Sequence, residues 1–113
     1  MKRCLMIDTN ANTPAPHLRL RRCILETLYG IFRKFPYAVI ELPQIESDCR
    51  TDAEELNWNL VYLEKCGYVE LGKSVQSPPY IASSVSLTAG GIDLVEDVEA
   101  FDRRFPPPAP SDA

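Results

Sequence analysis

Residues 53–71, AEELNWNLVYLEKCGYVEL, decide the fold of this chain. Apolar residues recur there at helical spacing and predict one buried stripe, formed by Ala53, Leu56, Leu60 and Leu63. Gly67 follows the last helical turn, where a residue without a Cβ atom tolerates the left-handed conformation that ends many helices. Residues 68–71 are rich in strand-forming side chains. The stretch therefore predicts a helix over 52–66, a glycine stop and a short strand.

The residues that follow predict a second strand and a further helix. Turn-forming residues fill 72–80, GKSVQSPPY, and indicate a long loop between two strands. The return strand is predicted over 81–87, IASSVSL, with one face formed by Ile81, Ser83, Val85 and Leu87. Thr88 suits the start of the next helix, because its hydroxyl group accepts a hydrogen bond from a backbone N–H of the first turn. That helix is predicted over 89–101, AGGIDLVEDVEAF.

Three elements are predicted upstream of the opening stretch. A first helix covers 18–35 and is ended by the proline that follows it. Residues 37–40 form a short β-prone run, which we expect to pair with the later hairpin. A second helix covers 42–49. Thr51 is expected to cap the third helix, with Glu54 completing a capping box.

The chain is expected to form one domain. Its 113 residues are 45% apolar and 25% charged, which is typical of a globular domain with one modest core. We predict a flexible N-terminal arm over 1–16, a folded domain over 17–105 and a disordered proline-rich tail over 106–113. The sequence shows neither a bilayer-spanning apolar stretch nor the apolar core of a signal peptide, so we expect a cytoplasmic location and no membrane association.

The sequence carries no recognisable catalytic or metal-binding pattern. Its single histidine, His17, borders the proline-rich arm, and GxSxG, HExxH, P-loop and GxGxxG motifs are absent. Adjacent carboxylates such as Glu54 and Glu55 point in different directions on a helix, which is typical of a solvated face. Without a CxxC pair, reduced and mostly buried thiols are expected rather than a metal site or a disulfide at Cys4, Cys23, Cys49 and Cys66. We expect no enzyme activity, no cofactor and no metal.

Trp58, the single tryptophan, has two interpretations. It lies off the main apolar stripe of the third helix, so partial burial against the hairpin or the first helix is favoured. The alternative is an exposed aromatic anchor for a partner.

The run from residue 38 to residue 96 resembles a known family. LEKCGYVEL (63–71), followed by VSLTAGGIDLVE (85–96), is similar to bacterial and phage winged-helix proteins of the broad MarR/PadR-like type. The resemblance implies an α+β, mostly α fold of the winged helix-turn-helix kind, with a three-helix core, a β-hairpin wing and a C-terminal helix. It also implies that the helix over 52–66 faces a DNA major groove, with 72–80 as the wing beside the phosphate backbone.

The charge distribution opposes a simple DNA-binding interpretation. Residues 35–70 contain eight acidic and two basic residues, a net charge of −6, although DNA affinity depends mainly on cations that neutralise phosphates. Residues 1–34 contain seven basic and two acidic residues, a net charge of +5. The positive charge therefore lies in the arm and the first helix.

Three functions compete. In the first, the protein is a DNA-binding transcriptional regulator without enzyme activity, and double-stranded DNA is its partner. In this function Asn57, Asn59, Arg50 and Lys73 read the groove, and the basic N-terminal arm supplies phosphate contacts together with Arg19, Arg21 and Arg22 of the first helix. Thr51 completes the candidate set. In the second, the domain is a protein-interaction module whose acidic third helix meets a basic protein partner or mimics the charge of a nucleic acid. The third, an enzyme completed by a partner chain, carries the least weight. The family resemblance favours the regulator.

The last predicted helix also suggests a homodimer. It carries two apolar stripes, and their combined apolar surface is larger than one small core can cover at its end. One stripe consists of Ile92 and Val95, and the other of Leu94, Val98, Phe101 and Phe105. A homodimer through the first and last helices would bury them. The alternative is one stripe packed on the body and the other partly exposed.

Overall fold

A computed structural model describes residues 15–73 and 82–108. Within these ranges the chain forms five helices, α1 (Pro16–Lys34), α2 (Leu42–Cys49), α3 (Ala53–Lys65), α4 (Ala89–Glu96) and α5 (Val98–Arg104). It also forms three strands, β1 (Ile40–Glu41), β2 (Val69–Gly72) and β3 (Ser84–Leu87). The predicted α+β, mostly helical class is confirmed. In the described part of the chain, no helix is long and apolar enough to cross a membrane.

The three strands form one antiparallel sheet in the order β1-β3-β2. Ile40 pairs with Val85 on one side of β3, and Leu71 pairs with Val85 on the other. The predicted pairing of the early β-prone run with the later hairpin is confirmed, and its partner there is β3. β1 begins only at Ile40, because Ala38 N–H donates to Phe35 O in a turn. Most of the predicted loop over 72–80, together with Ile81, lies outside the described residues.

The core lies where α1, α2 and α3 pack against the sheet and α5. α3 contributes Leu56, Leu60 and Leu63, which have no exposed surface, as their spacing predicted. Ala53 was predicted in the same stripe but is exposed, because it is the first residue of α3 and lies beyond the packed turns. The buried residues from the other elements include Ile24, Leu25, Leu28, Ile45, Val69, Val85, Phe101 and Phe105.

The ends of α3 and the start of α4 are held by side-chain and glycine caps. Asp52, not Thr51, caps α3, since its carboxylate accepts from Glu55 N–H at 2.8 Å. Thr51 instead closes α2 through a bond from its N–H to Glu46 O, so the predicted capping box with Glu54 is wrong. Gly67 has φ +87°, as predicted. The predicted cap Thr88 accepts from Gly91 N–H at 3.1 Å and donates to Gly67 O at 2.6 Å, which joins the two helix ends.

The predicted helix over 89–101 is two helices in the structure. It breaks at Asp97, where ψ is 90° and the carboxylate accepts from Ala100 N–H to cap α5. The break turns α5 back onto α1, so Phe101 and Phe105 are buried in the chain's own core. The predicted surplus of apolar surface is therefore wrong for both phenylalanines, whereas Val98 stays 66% exposed.

Cys23 of α1 and Cys49, the last residue of α2, form a disulfide with their Cα atoms 5.9 Å apart. The expectation of reduced thiols is wrong for this pair. The two residues are 26 positions apart, and only the packing of α2 on α1 brings them together. Cys66 is a free, half-buried cysteine. Cys4 lies outside the described residues.

Candidate functional site

Two of the residues predicted to contact bases are buried in α3. Asn57 is 6% exposed and its Oδ1 accepts from Ala82 N–H at 3.0 Å, which ties α3 to the chain just before β3. Asn59 is 3% exposed; its Nδ2 donates to Glu55 O at 2.8 Å, and its Oδ1 accepts from Arg21 Nε at 2.9 Å. Both amides therefore make hydrogen bonds within the fold.

Two of the three arginines predicted to contact phosphates are engaged inside the protein. Arg21 lies over the Tyr62 ring, 3.7 Å from its centroid, while it holds Asn59. Arg22 donates to Asp102 Oδ1 at 2.9 Å and to Phe105 O at 2.7 Å. These contacts join α1 to α3 and to α5. Arg19 is exposed near the start of α1.

The remaining predicted residues lie in two separate places. Arg50 is exposed at the end of α2 with φ 54°, and Thr51 beside it is half-buried. Both line a hollow of about 310 Å³ together with Arg19. Lys73 is exposed just after β2 and lines a different groove. The structure thus brings Arg19, Arg50 and Thr51 together but places Lys73 elsewhere.

A groove of about 1020 Å³ lies between α3 and the sheet, and we call it the α3 groove. The sheet side contributes Leu71, Lys73 and Ala82. The helix side consists of residues on one face of α3, Ala53, Glu54, Asn57, Trp58, Val61 and Glu64. A concave, mostly apolar surface of this size is typical of a binding site.

Trp58 lies in the α3 groove and is 65% exposed. The favoured expectation of partial burial is therefore wrong, because the core face of α3 is already filled by its leucines and Trp58 lies on another face. The sequence indicated only weakly that these residues share the groove face of α3: Trp58, Val61 and Glu64 follow one another at three-residue intervals, which places them on one side of a helix. An exposed tryptophan in an apolar groove is the kind of residue that dominates protein interfaces.

The charged residues that line the α3 groove are mainly acidic. Glu54 lies in the first turn of α3 and Glu64 near its end, and both are exposed. Glu64 Oε2 also accepts from Leu71 N–H at 3.4 Å, at the outer edge of β2. Lys73 is the cation among the described lining residues. This distribution attracts cations and repels phosphates.

A second polar cluster joins α3 to α5. Arg104 donates to Tyr62 Oη at 2.7 Å and to Cys66 Sγ at 3.3 Å. The hydrogen bond to Cys66 raises the pKa of the Arg104 guanidinium, and partial burial opposes this effect. The hydrogen bond from Arg33 to Tyr29 likewise raises the pKa of Arg33. Both arginines therefore stay charged. Over 15–73 and 82–108, no group of three or more His, Cys, Asp or Glu side chains is placed to hold a metal ion.

Comparison of the chain with protein-family models, with curated proteins and with solved structures gives no match. The similarity to the MarR/PadR-like type accordingly stays a resemblance in two sequence segments.

Proposed function

We propose that this chain is a winged-helix protein-interaction module that docks a protein partner in the α3 groove. The observation that supports this function best is the outward face of α3. It presents Trp58 between Glu54 and Glu64, whereas the two asparagines predicted to contact bases are buried. An aromatic residue in an apolar groove favours a protein partner.

The acidic groove is unsuited to duplex DNA. A DNA-contacting helix needs cations that neutralise phosphates, but the exposed charges in the first turn of α3 are the carboxylates of Glu54 and Glu55. In the proposed function the carboxylates that line the groove, Glu54 and Glu64, supply attraction to a basic partner and set the selectivity of the groove. The winged-helix arrangement supplies the rigid helix and sheet edge between which the groove opens.

A DNA-binding transcriptional regulator is the second candidate function. It is favoured by the exposed Arg19 and Arg50 around one hollow and by the exposed Lys73 after β2. In this function a homodimer through α1 and α5 would present two such surfaces. We propose the cytoplasm as the location for either function. Thiols are kept reduced there, so the bridge between Cys23 and Cys49 would be open until the protein is oxidised.

Duplex binding separates the two functions. The full chain is titrated into a fluorescein-labelled random-sequence duplex at low and at near-physiological salt, and the anisotropy of the label is measured. The docking function predicts no salt-sensitive binding. Binding that weakens steeply with salt and is lost in Arg50→Ala/Lys73→Ala would overturn it. The matched control is Lys34→Ala/Arg103→Ala, which removes the same charge from exposed positions at the end of α1 and in α5.

A further inference from the structure

We infer that the occupant of the α3 groove is a cationic amphipathic helix of a partner protein. Its apolar face would place a bulky side chain against Trp58, and its basic residues would lie near Glu54 and Glu64. This inference rests on the proposed docking function and specifies the chemistry of the partner. It is carried by the apolar floor of the groove, the position of its carboxylates and the outer edge of β2.

The floor of the groove accommodates an apolar helix face. Three of the residues that line the groove are apolar and come from different parts of the fold: Val61 from α3, Leu71 from β2, and Ala82 from the chain just before β3. A groove of about 1020 Å³ exceeds what one small side chain requires and suits several turns of a helix laid along α3. The helix-in-groove mode of recognition uses anchors that recur every three or four residues, which places a Leu or Phe side chain opposite Trp58.

The carboxylates determine the charge and the length of the partner. Glu54 and Glu64 are ten residues apart on α3, which corresponds to about 15 Å along the helix axis. Lys or Arg residues about three turns apart on a partner helix span the same distance. Two exposed carboxylates face one cation, Lys73, among the described lining residues, so a basic segment complements the groove and an acidic one is repelled.

The edge of β2 favours a helix over an added strand. β2 lies at the edge of the sheet, and a partner strand would pair with its outward N–H and C=O groups. The outward N–H of Leu71 already donates to the Glu64 carboxylate at 3.4 Å. A strand would have to displace this carboxylate, whereas a helix, whose backbone groups are satisfied internally, leaves it in place.

Trp58 makes the test specific, since it is the single tryptophan of the chain. The probe is a synthetic helical peptide without tryptophan that carries leucines on one face and flanking lysines about three turns apart. Three comparison peptides replace the lysines by glutamates, replace the leucines by serines, or carry a central proline that prevents a helix. Each peptide is titrated into the full chain while Trp58 emission is recorded.

The variant Glu54→Gln/Glu64→Gln tests the position of the peptide. Its control is Asp93→Asn/Glu99→Gln, which removes two exposed carboxylates from α4 and α5, with Glu99 in a first helical turn like Glu54. Circular dichroism verifies that both variants are folded. We expect the lysine peptide to shift Trp58 emission to shorter wavelength. Its affinity should fall about fivefold in Glu54→Gln/Glu64→Gln and stay unchanged in the control.

Several results would overturn the inference: no emission change with the lysine peptide, equal binding of the glutamate, serine or proline peptide, or equal affinity in both double variants. A concentration-dependent mass in light scattering that disappears in Trp58→Ala would identify a second copy as the occupant and would also overturn it. Failure of the docking function itself is recognised separately, because it appears as salt-sensitive duplex binding whatever the peptides do.

Discussion

At the scale of single residues, side-chain amides determine how α3 meets its neighbours. Asn57 holds the chain before β3, and Asn59 holds Arg21 of α1. Neither contact can be made by an apolar residue, since each requires a hydrogen-bond acceptor, and the Ala82 N–H is buried. Trp58 lies between them in sequence but on the groove face of the helix, where it makes an exposed apolar surface. Asn57 and Asn59 therefore stabilise the packing of α3, whereas Trp58 between them is exposed in the groove.

Replacing Asn57 by alanine tests this division. Asn57→Ala removes the acceptor of the buried Ala82 N–H, and we expect the free energy of unfolding to fall by about 1–3 kcal/mol. Trp58→Ala, at the exposed neighbouring position, should change it by about 0.5 kcal/mol or less. Urea denaturation followed by circular dichroism measures both values. Equal losses in the two variants would show that the hydrogen bond to Ala82 is not what Asn57 contributes.

At the scale of elements, α5 belongs to the core because Arg22 and two aromatic rings hold it against α1. The Arg22 guanidinium lies 4.3 Å from the centroid of Phe101 while it donates to Asp102 and to the carbonyl group of Phe105. The Arg22 side chain is only 13% exposed, and Phe105 packs edge-on against Phe101. The break at Asp97 is what makes this arrangement possible, since a straight helix would carry both rings away from α1.

Replacing Arg22 should release α5. We expect Arg22→Ala to lower the free energy of unfolding by about 2 kcal/mol, because a charged donor to a backbone carbonyl and the stacking over Phe101 are lost. Asp102 is partly exposed, so the ion pair adds little. Arg19→Ala, at an exposed position of the same helix, is the matched control and should leave stability nearly unchanged. A loss of the same size in both variants would contradict the anchoring role of Arg22.

Replacing Gly67 and replacing Gly30 by alanine should change the free energy of unfolding in opposite directions. Gly67 ends α3 with φ +87°, and a Cβ atom there meets nothing within 4 Å, so the cost of Gly67→Ala comes from the backbone conformation alone. We expect a loss of about 1–2 kcal/mol. Gly30 lies inside α1, and an added Cβ is equally unobstructed, so Gly30→Ala should add about 0.5–1 kcal/mol. Thermal unfolding measures the pair, and a shift in the same direction for both would refute the argument.

At the scale of the whole molecule, the disulfide connects α1 to α2, the two helices that precede α3 in the chain. Cys49 is the last residue of α2, and the turn that follows it leads through Arg50 to the Asp52 cap of α3. The bridge to Cys23 therefore fixes the start of α3 relative to α1. A cross-link of this kind stabilises a fold mainly by restricting the unfolded chain.

Reduction should weaken the whole fold. The bridge joins residues that are 26 positions apart, for which chain entropy predicts a stabilisation of about 3.5 kcal/mol. We expect urea denaturation of the oxidised protein to require more denaturant than the same measurement in dithiothreitol, and peptide mass mapping to identify the Cys23 and Cys49 linkage. In Cys23→Ser the two curves should coincide. A reductant-insensitive curve for the unsubstituted protein would count against a stabilising bridge.

The sequence by itself determined the features that depend on neighbours along the chain. The leucine stripe of α3, the left-handed Gly67, the Thr88 cap and the bounds of α2 were predictable, because each depends on residues within about one or two helical turns. The exposed carboxylates of the groove were also visible as an excess of acidic residues over 35–70.

Only the tertiary structure decided which polar residues face solvent. Arg21 meets Asn59 38 positions away and Arg22 meets Asp102 80 positions away, so the spacing of residues along the chain does not indicate either contact. The pairing of Cys23 with Cys49, the burial of Asn57 and the exposure of Trp58 have the same origin. Propensity and periodicity act over a few residues, whereas contacts between elements follow from how their surfaces pack, and the α3 groove is a product of that packing.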